Sequence, residues 1–136
     1  MERNKDKCKG DSAKSLIGYG REVLKGDDYK CRYCGEEFKT FDKWLFLTID
    51  HVIPQAVIVE EGLKLGKENM VAACRVCNSF ANRNKYKDVK SSSTKERVEK
   101  TIEAKRIQIA EKKKKYKEFF DNCIRMDKEI NKPENI

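Results

Sequence analysis

Four of the six cysteines fall in two Cys-x-x-Cys pairs, Cys31/Cys34 and Cys74/Cys77, while Cys8 and Cys123 stand alone near the ends. Each pair offers two sulfurs from one tight turn, and two pairs together meet the tetrahedral demand of structural zinc. Outside an oxidising compartment, thiols at this spacing read as zinc ligands rather than as disulfides or redox dithiols. A closed four-sulfur site has no open position for water, so it would hold the fold and leave chemistry to other groups. Gly35, directly after Cys34, suits the sharp turn of a knuckle. The second pair is expected at a helix start, where exposed backbone N–H groups steady thiolate charge.

Chemistry then turns on the single histidine, His51, which directly follows Asp50. The stretch 44–53, WLFLTIDHVI, is dense in β-branched and aromatic residues and is stopped by Pro54, which predicts a strand. Side chains alternate along a strand, so Asp50 and His51 should face opposite ways and do different jobs. A lone histidine is usually a surface or packing residue. This one stands in unusual company, with Asn69 and then Cys74-x-x-Cys77-Asn78 downstream.

Three segments, YKCRYCG at 29–35, LTIDHVIPQ at 47–55 and ENMVAACRVCNSFANRNK at 68–85, together resemble the HNH endonucleases, in which a ββα-metal hairpin sits among zinc-binding cysteines. The resemblance covers about residues 30 to 85. It implies an α+β fold: a small treble-clef-like, zinc-stabilised ββα-metal core with flanking helices and a long basic C-terminal helix. It also implies that His51 is the general base, that Asp50 and Asn78 are ligands of a catalytic Mg²⁺ or Mn²⁺ ion, and that Asn69 is the family's middle asparagine, holding the loop that aims His51. A neutral imidazole can take a proton from water near neutral pH. Hard oxygen ligands suit Mg²⁺, whose charge would stabilise the phosphorane-like transition state and the leaving oxygen. The last letter of the motif is asparagine, an HNN variant, and the Gly-Gly common in the hairpin loop is replaced by a region around Gly62 and Gly66. Asn82, one helical turn after Asn78, is a secondary candidate ligand, with a solvent-facing asparagine as the favoured reading.

The elements around this core follow from pattern. Residues 1–28 read as a charged arm and a short helix with Ala13, Leu16, Ile17, Val23 and Leu24 apolar and Gly18 and Gly20 as interruptions. By the resemblance, residues 29–90 would form the nuclease core; within them the pattern predicts a second strand at Met70 to Ala73 and a long loop or lobe over 55–68. Residues 91–136 form the basic extension. Within it, Thr94 to Ile130 repeats Ile102, Ile109, Tyr116, Cys123 and Ile130 at seven-residue intervals, with Val98, Lys105, Lys112, Phe119 and Met126 at the companion positions. A continuous helix there would run about 55 Å, beyond the core it can cover, so it must project, bend back, or meet a second copy or another protein. Ser93 or Thr94 is its N-cap, ahead of Glu96.

At 136 residues with 38% hydrophobic and 40% charged residues, one small domain with a weak core and a metal staple is the natural reading. The net charge of +8 is lopsided: residues 1–80 carry 14 Lys and Arg against 13 Asp and Glu, residues 81–136 carry 17 against 10. Clustered cations favour a polyanion such as DNA, against the plainer reading of a solvated lysine-rich helix. Arg75, Arg83, Lys85 and Lys87 lie next to Asn78 in sequence and are the candidate phosphate contacts, with the lysine run 112–115 as a further point-charge track. Tyr33, Tyr86, Phe38, Phe41 and Trp44 are read as core packing first and base stacking second. No apolar stretch is long enough to span a membrane or to serve as a signal core, which predicts an intracellular, cytoplasmic protein. Two functions compete: a metal-dependent DNA endonuclease, and a non-catalytic zinc module that binds nucleic acid through the same basic surface.

Overall fold

A computed structural model describes residues 19–81 and 86–131. The expectations placed on Cys8, Ala13, Leu16, Ile17, Gly18, Asn82, Arg83 and Lys85 lie outside them. Among the described residues the chain runs through helix α1 (Tyr19–Gly26), a short helix α2 (Phe41–Trp44), strand β1 (Leu47–His51), helix α3 (Gln55–Glu61), a 3₁₀ turn (Lys67–Asn69), strand β2 (Met70–Cys74), helix α4 (Arg75–Ala81) and the long helix α5 (Thr94–Ile130). The fold is mixed helix with one small two-stranded antiparallel sheet.

β1 and β2 pair from Leu47 opposite Cys74 to His51 opposite Met70. This register puts the second cysteine pair at the exit of β2, where the chain turns at once into α4. β1 is shorter than the apolar stretch 44–53 suggested, because Thr40 caps a helical turn by accepting a bond from Lys43 N at 3.4 Å, drawing Trp44 into α2. The larger correction concerns 55–68, expected as a loop or lobe. Pro54 precedes a helix whose Val57 is fully buried, and Gly62, with φ of +65°, ends it in the left-handed conformation. The glycine that suggested a loop is a helix stop.

Asn69 closes this insertion onto the hairpin. Its backbone O accepts from Val52 N at 2.8 Å, its Oδ1 accepts from Ile53 N at 2.8 Å and its Nδ2 donates to Ile53 O at 2.9 Å. The residues just after His51 are therefore fixed by one buried amide. Leu24, Leu47, Val52, Ile53, Val57, Val71, Ala72 and Ala73 belong to one buried hydrophobic cluster. Gly20, expected as an interruption, is instead a buried position inside α1.

α5 runs unbroken over 37 residues with Ser93 as its N-cap, its Oγ accepting from Glu96 N at 3.2 Å. Its first half buries Val98, Thr101, Ile102, Lys105 and Ile109 against the core, and Arg97 straps it to α3 through paired bonds of 2.9 and 2.8 Å to Glu61. That ion pair holds the Glu61 carboxyl down at about 2, against its usual carboxylate range. The second half of α5 stands exposed.

Substituting Asn69→Ala removes both side-chain bonds and leaves the Ile53 N–H and C=O buried without those partners. A loss of about 2–4 kcal/mol is expected from urea unfolding, at 1–3 kcal/mol per stranded group. A change under about 0.5 kcal/mol would show that another group fixes this loop.

Candidate functional site

The four cysteine sulfurs of residues 31, 34, 74 and 77 lie within 4.8 Å of one another. Each pair folds as a knuckle: Cys34 N points at Cys31 Sγ at 3.5 Å, and Cys77 N at Cys74 Sγ at 3.4 Å. Gly35 takes φ of +77° and returns its N–H to Cys31 O at 2.8 Å, a turn that a side chain would strain. The first knuckle is stitched to β2 by Arg32 N on Ala72 O at 2.9 Å. Crowding shapes the thiols' acidity. Hydrogen bonds from Cys74 and then Cys77 pull Cys31 far below the thiol range, while the bond to Cys31 pushes Cys77 far above it and Cys74 to about 11. Four thiols so placed cannot all ionise unless a cation shares their charge, and four converging sulfurs are the donor set that suits zinc.

His51 ends β1, half-buried, opposite Met70. Asp50, one residue earlier, points into the interior and is 4% exposed. Asn78 lies on α4, where its Nδ2 donates to Thr48 Oγ1 at 2.9 Å, and Thr48 Oγ1 in turn donates to Ala73 O at 2.7 Å. Thr48 and Asp50 share a face of β1, so the structure brings Asn78 to the face of the strand that carries Asp50. The Asn78 amide is spent on Thr48 through its nitrogen.

Asp50 has partners that the sequence pattern did not assign. Its Oδ2 accepts from Lys105 Nζ at 2.8 Å and also from the Tyr33 hydroxyl. The same ammonium lies 3.3 Å from His51 O and sits 5.8 Å and 5.5 Å from the ring centres of Tyr33 and Tyr86. Lys105 is 1% exposed although it carries a charge. Burial lowers its pKa while Asp50 pulls the other way, and burial followed by the Asp50 charge raises that of Tyr33 well above the phenol range. A sequence signal for this pair existed. Lys105 and Lys112 interrupt an apolar stripe of α5, and a cation carried into a core must meet an anion there.

This arrangement bears on the expected catalytic metal. With an ammonium 2.8 Å from Oδ2, Asp50 and Asn78 do not fit a divalent cation as they stand, because two cations on one carboxylate in a low-dielectric interior repel strongly. Of the candidate phosphate contacts, Arg75 is exposed beside the second knuckle with Nε on Leu45 O at 3.3 Å, and Lys87 pairs with Glu60 at 2.8 Å. In the lysine run, Lys112 donates to Phe80 O at 2.7 Å, satisfying a carbonyl near the end of α4. Phe38 and Tyr33 are buried, whereas Phe41 is exposed and stacks on Trp44 at 6.3 Å between ring centres.

Residues 31–83, which span both knuckles, the hairpin and α4, match the family model of the HNH endonuclease. No curated protein and no solved structure matches the chain. No helix among the described residues is long and apolar enough to cross a membrane.

Removing one partner of the buried pair strands the other. Lys105→Met is expected to cost about 3–5 kcal/mol in denaturant unfolding, and the double variant Asp50→Asn with Lys105→Met to recover most of it. Equal losses in the single and double variants would mean that packing of the lysine stem, not its charge, is what α5 contributes.

Proposed function

We propose that the protein is an endonuclease that hydrolyses phosphodiester bonds in DNA, with His51 as the general base. One observation carries the reading: the HNH match covers the hairpin that ends in His51, and that hairpin is anchored by the cysteine cluster. The imidazole at the end of β1 would take a proton from water, and the resulting hydroxide would attack phosphorus in line with the departing 3′ oxygen. Asn69 supports this as a positioning residue, since it fixes Val52 and Ile53 directly after the base. Arg75, Lys87 and the lysine-rich face of α5 would hold the phosphate backbone without reading sequence. Arg83 and Lys85 are proposed for the same role from their place in the chain alone.

A second reading has its own support. Lys105 neutralises the carboxylate that the resemblance assigns to a catalytic Mg²⁺ or Mn²⁺ ion, which favours a zinc-stabilised module that binds nucleic acid without cutting it. The two readings part on supercoiled plasmid. With Mg²⁺ or Mn²⁺ present, wild type is expected to produce nicked circles, and His51→Ala to cut about 10² to 10⁴ times more slowly at nearly unchanged affinity. Binding by wild type with no nicking under either metal would select the binding module. Equal cutting by both proteins would remove His51 from the mechanism.

A further inference from the structure

The apolar stripe of α5 does not stop where the core does. Val98, Ile102, Lys105 and Ile109 are buried, Lys112 reaches Phe80 O, and Tyr116 stacks on Phe80 with ring centres 5.3 Å apart. Beyond that point the same alternation of three and four residues continues through Tyr116, Phe119, Cys123, Met126 and Ile130. Phe119 and Ile130 are each 69% exposed, and Phe120, beside the stripe, is 57% exposed. A stripe with this period is what one helix presents to another in a coiled coil.

We propose that this half of α5 pairs with the same half of a second copy of the chain, as an antiparallel two-helix coil. Charge selects the arrangement. With Tyr116 level with Met126 of the second copy, and Phe119 with its Cys123, the flanking Lys115 falls level with Asp127 of the second copy and two residues, about 3 Å, from the level of its Glu129. Two-fold symmetry repeats each pair. The two Phe120 rings then meet at the centre. A parallel pairing would set Lys115 against Phe120 and Asn122 against Asp127, with no opposite charges matched.

Packing selects the same answer. The core buries the stripe as far as Ile109 and Phe80 reaches on to Lys112 and Tyr116, so parallel helices would drive the two cores into the same end of the coil. Antiparallel helices put them at opposite ends of an overlap from residue 112 to residue 130, about 28 Å long. Opposed helix dipoles favour that direction as well. Lys117 with Asp121 at 2.6 Å, and Arg125 with Glu129 at 3.5 Å, brace the exposed helix along its own surface.

Sedimentation equilibrium of the zinc-loaded full chain tests this, with helicity checked by circular dichroism. Wild type is expected to dimerise, and Lys115→Glu or Glu129→Lys alone to weaken the dimer roughly tenfold, since each turns two attractive pairs repulsive. The double variant Lys115→Glu with Glu129→Lys should return to within about threefold of wild type, and Phe119→Glu should be monomeric. A wild type that stays monomeric at every concentration overturns the proposal. So does a dimer whose affinity ignores both charge reversals, because that coil would have another direction or register.

Discussion

Four sulfurs gathered within 4.8 Å join two parts of the chain that are far apart in sequence, and the remaining geometry of the core depends on that junction. Cys31 and Cys34 come from the segment before the hairpin, Cys74 ends β2, and Cys77 lies in α4. A chain with 38% hydrophobic and 40% charged residues has little apolar area with which to hold a two-strand sheet, and a two-stranded hairpin alone is marginal in water. Shared sulfur ligands supply the missing constraint. They fix where β2 ends and α4 begins, and through the register of the sheet they fix where β1 ends, at His51.

The second constraint comes from the far end of the chain. α5 carries Lys105 into the core to meet Asp50, and the pair lies directly behind the strand end that presents His51. Removing two charges from water is costly, and the cost is offset only where they meet each other in good geometry. Here the carboxylate oxygen takes an ammonium and a phenol together. The C-terminal helix is therefore part of the electrostatics behind the site and not an appended basic tail. Its lysines divide by function: Lys105 neutralises Asp50, Lys112 satisfies the Phe80 carbonyl, Lys113 lies half-buried beside the sulfur cluster, and Lys114, Lys115 and Lys117 face solvent.

Much of this was legible in the sequence, for physical reasons that differ by element. The cysteine cluster was readable because metal ligation imposes local spacing. α5 was readable from Thr94 to Ile130 because a seven-residue apolar period kept up along that whole stretch fits a helix and neither a strand nor a loop, and its serine cap states its own start. β2 was readable from a short apolar run between a polar segment and a cysteine knuckle. α3 was not, because Gly62 and the charges around it look alike whether they end a helix or fill a loop, and only the burial of Val57 decides. Partners distant in sequence were the least legible. Asp50 and Asn78 could be named from the motif, but Lys105 lies 55 residues beyond Asp50, and pairing them requires knowing how α5 folds back.

The sulfur cluster is expected to hold one zinc ion and so to fix the hairpin that ends in His51. Native mass spectrometry coupled to amide hydrogen exchange, before and after chelation, tests it most directly. One zinc per chain is expected, with the amides of β1, β2 and the Val52–Ile53 turn protected until the metal is withdrawn and exchanging together afterwards. A chain that purifies without metal, or a hairpin equally protected after the metal is gone, would contradict the account.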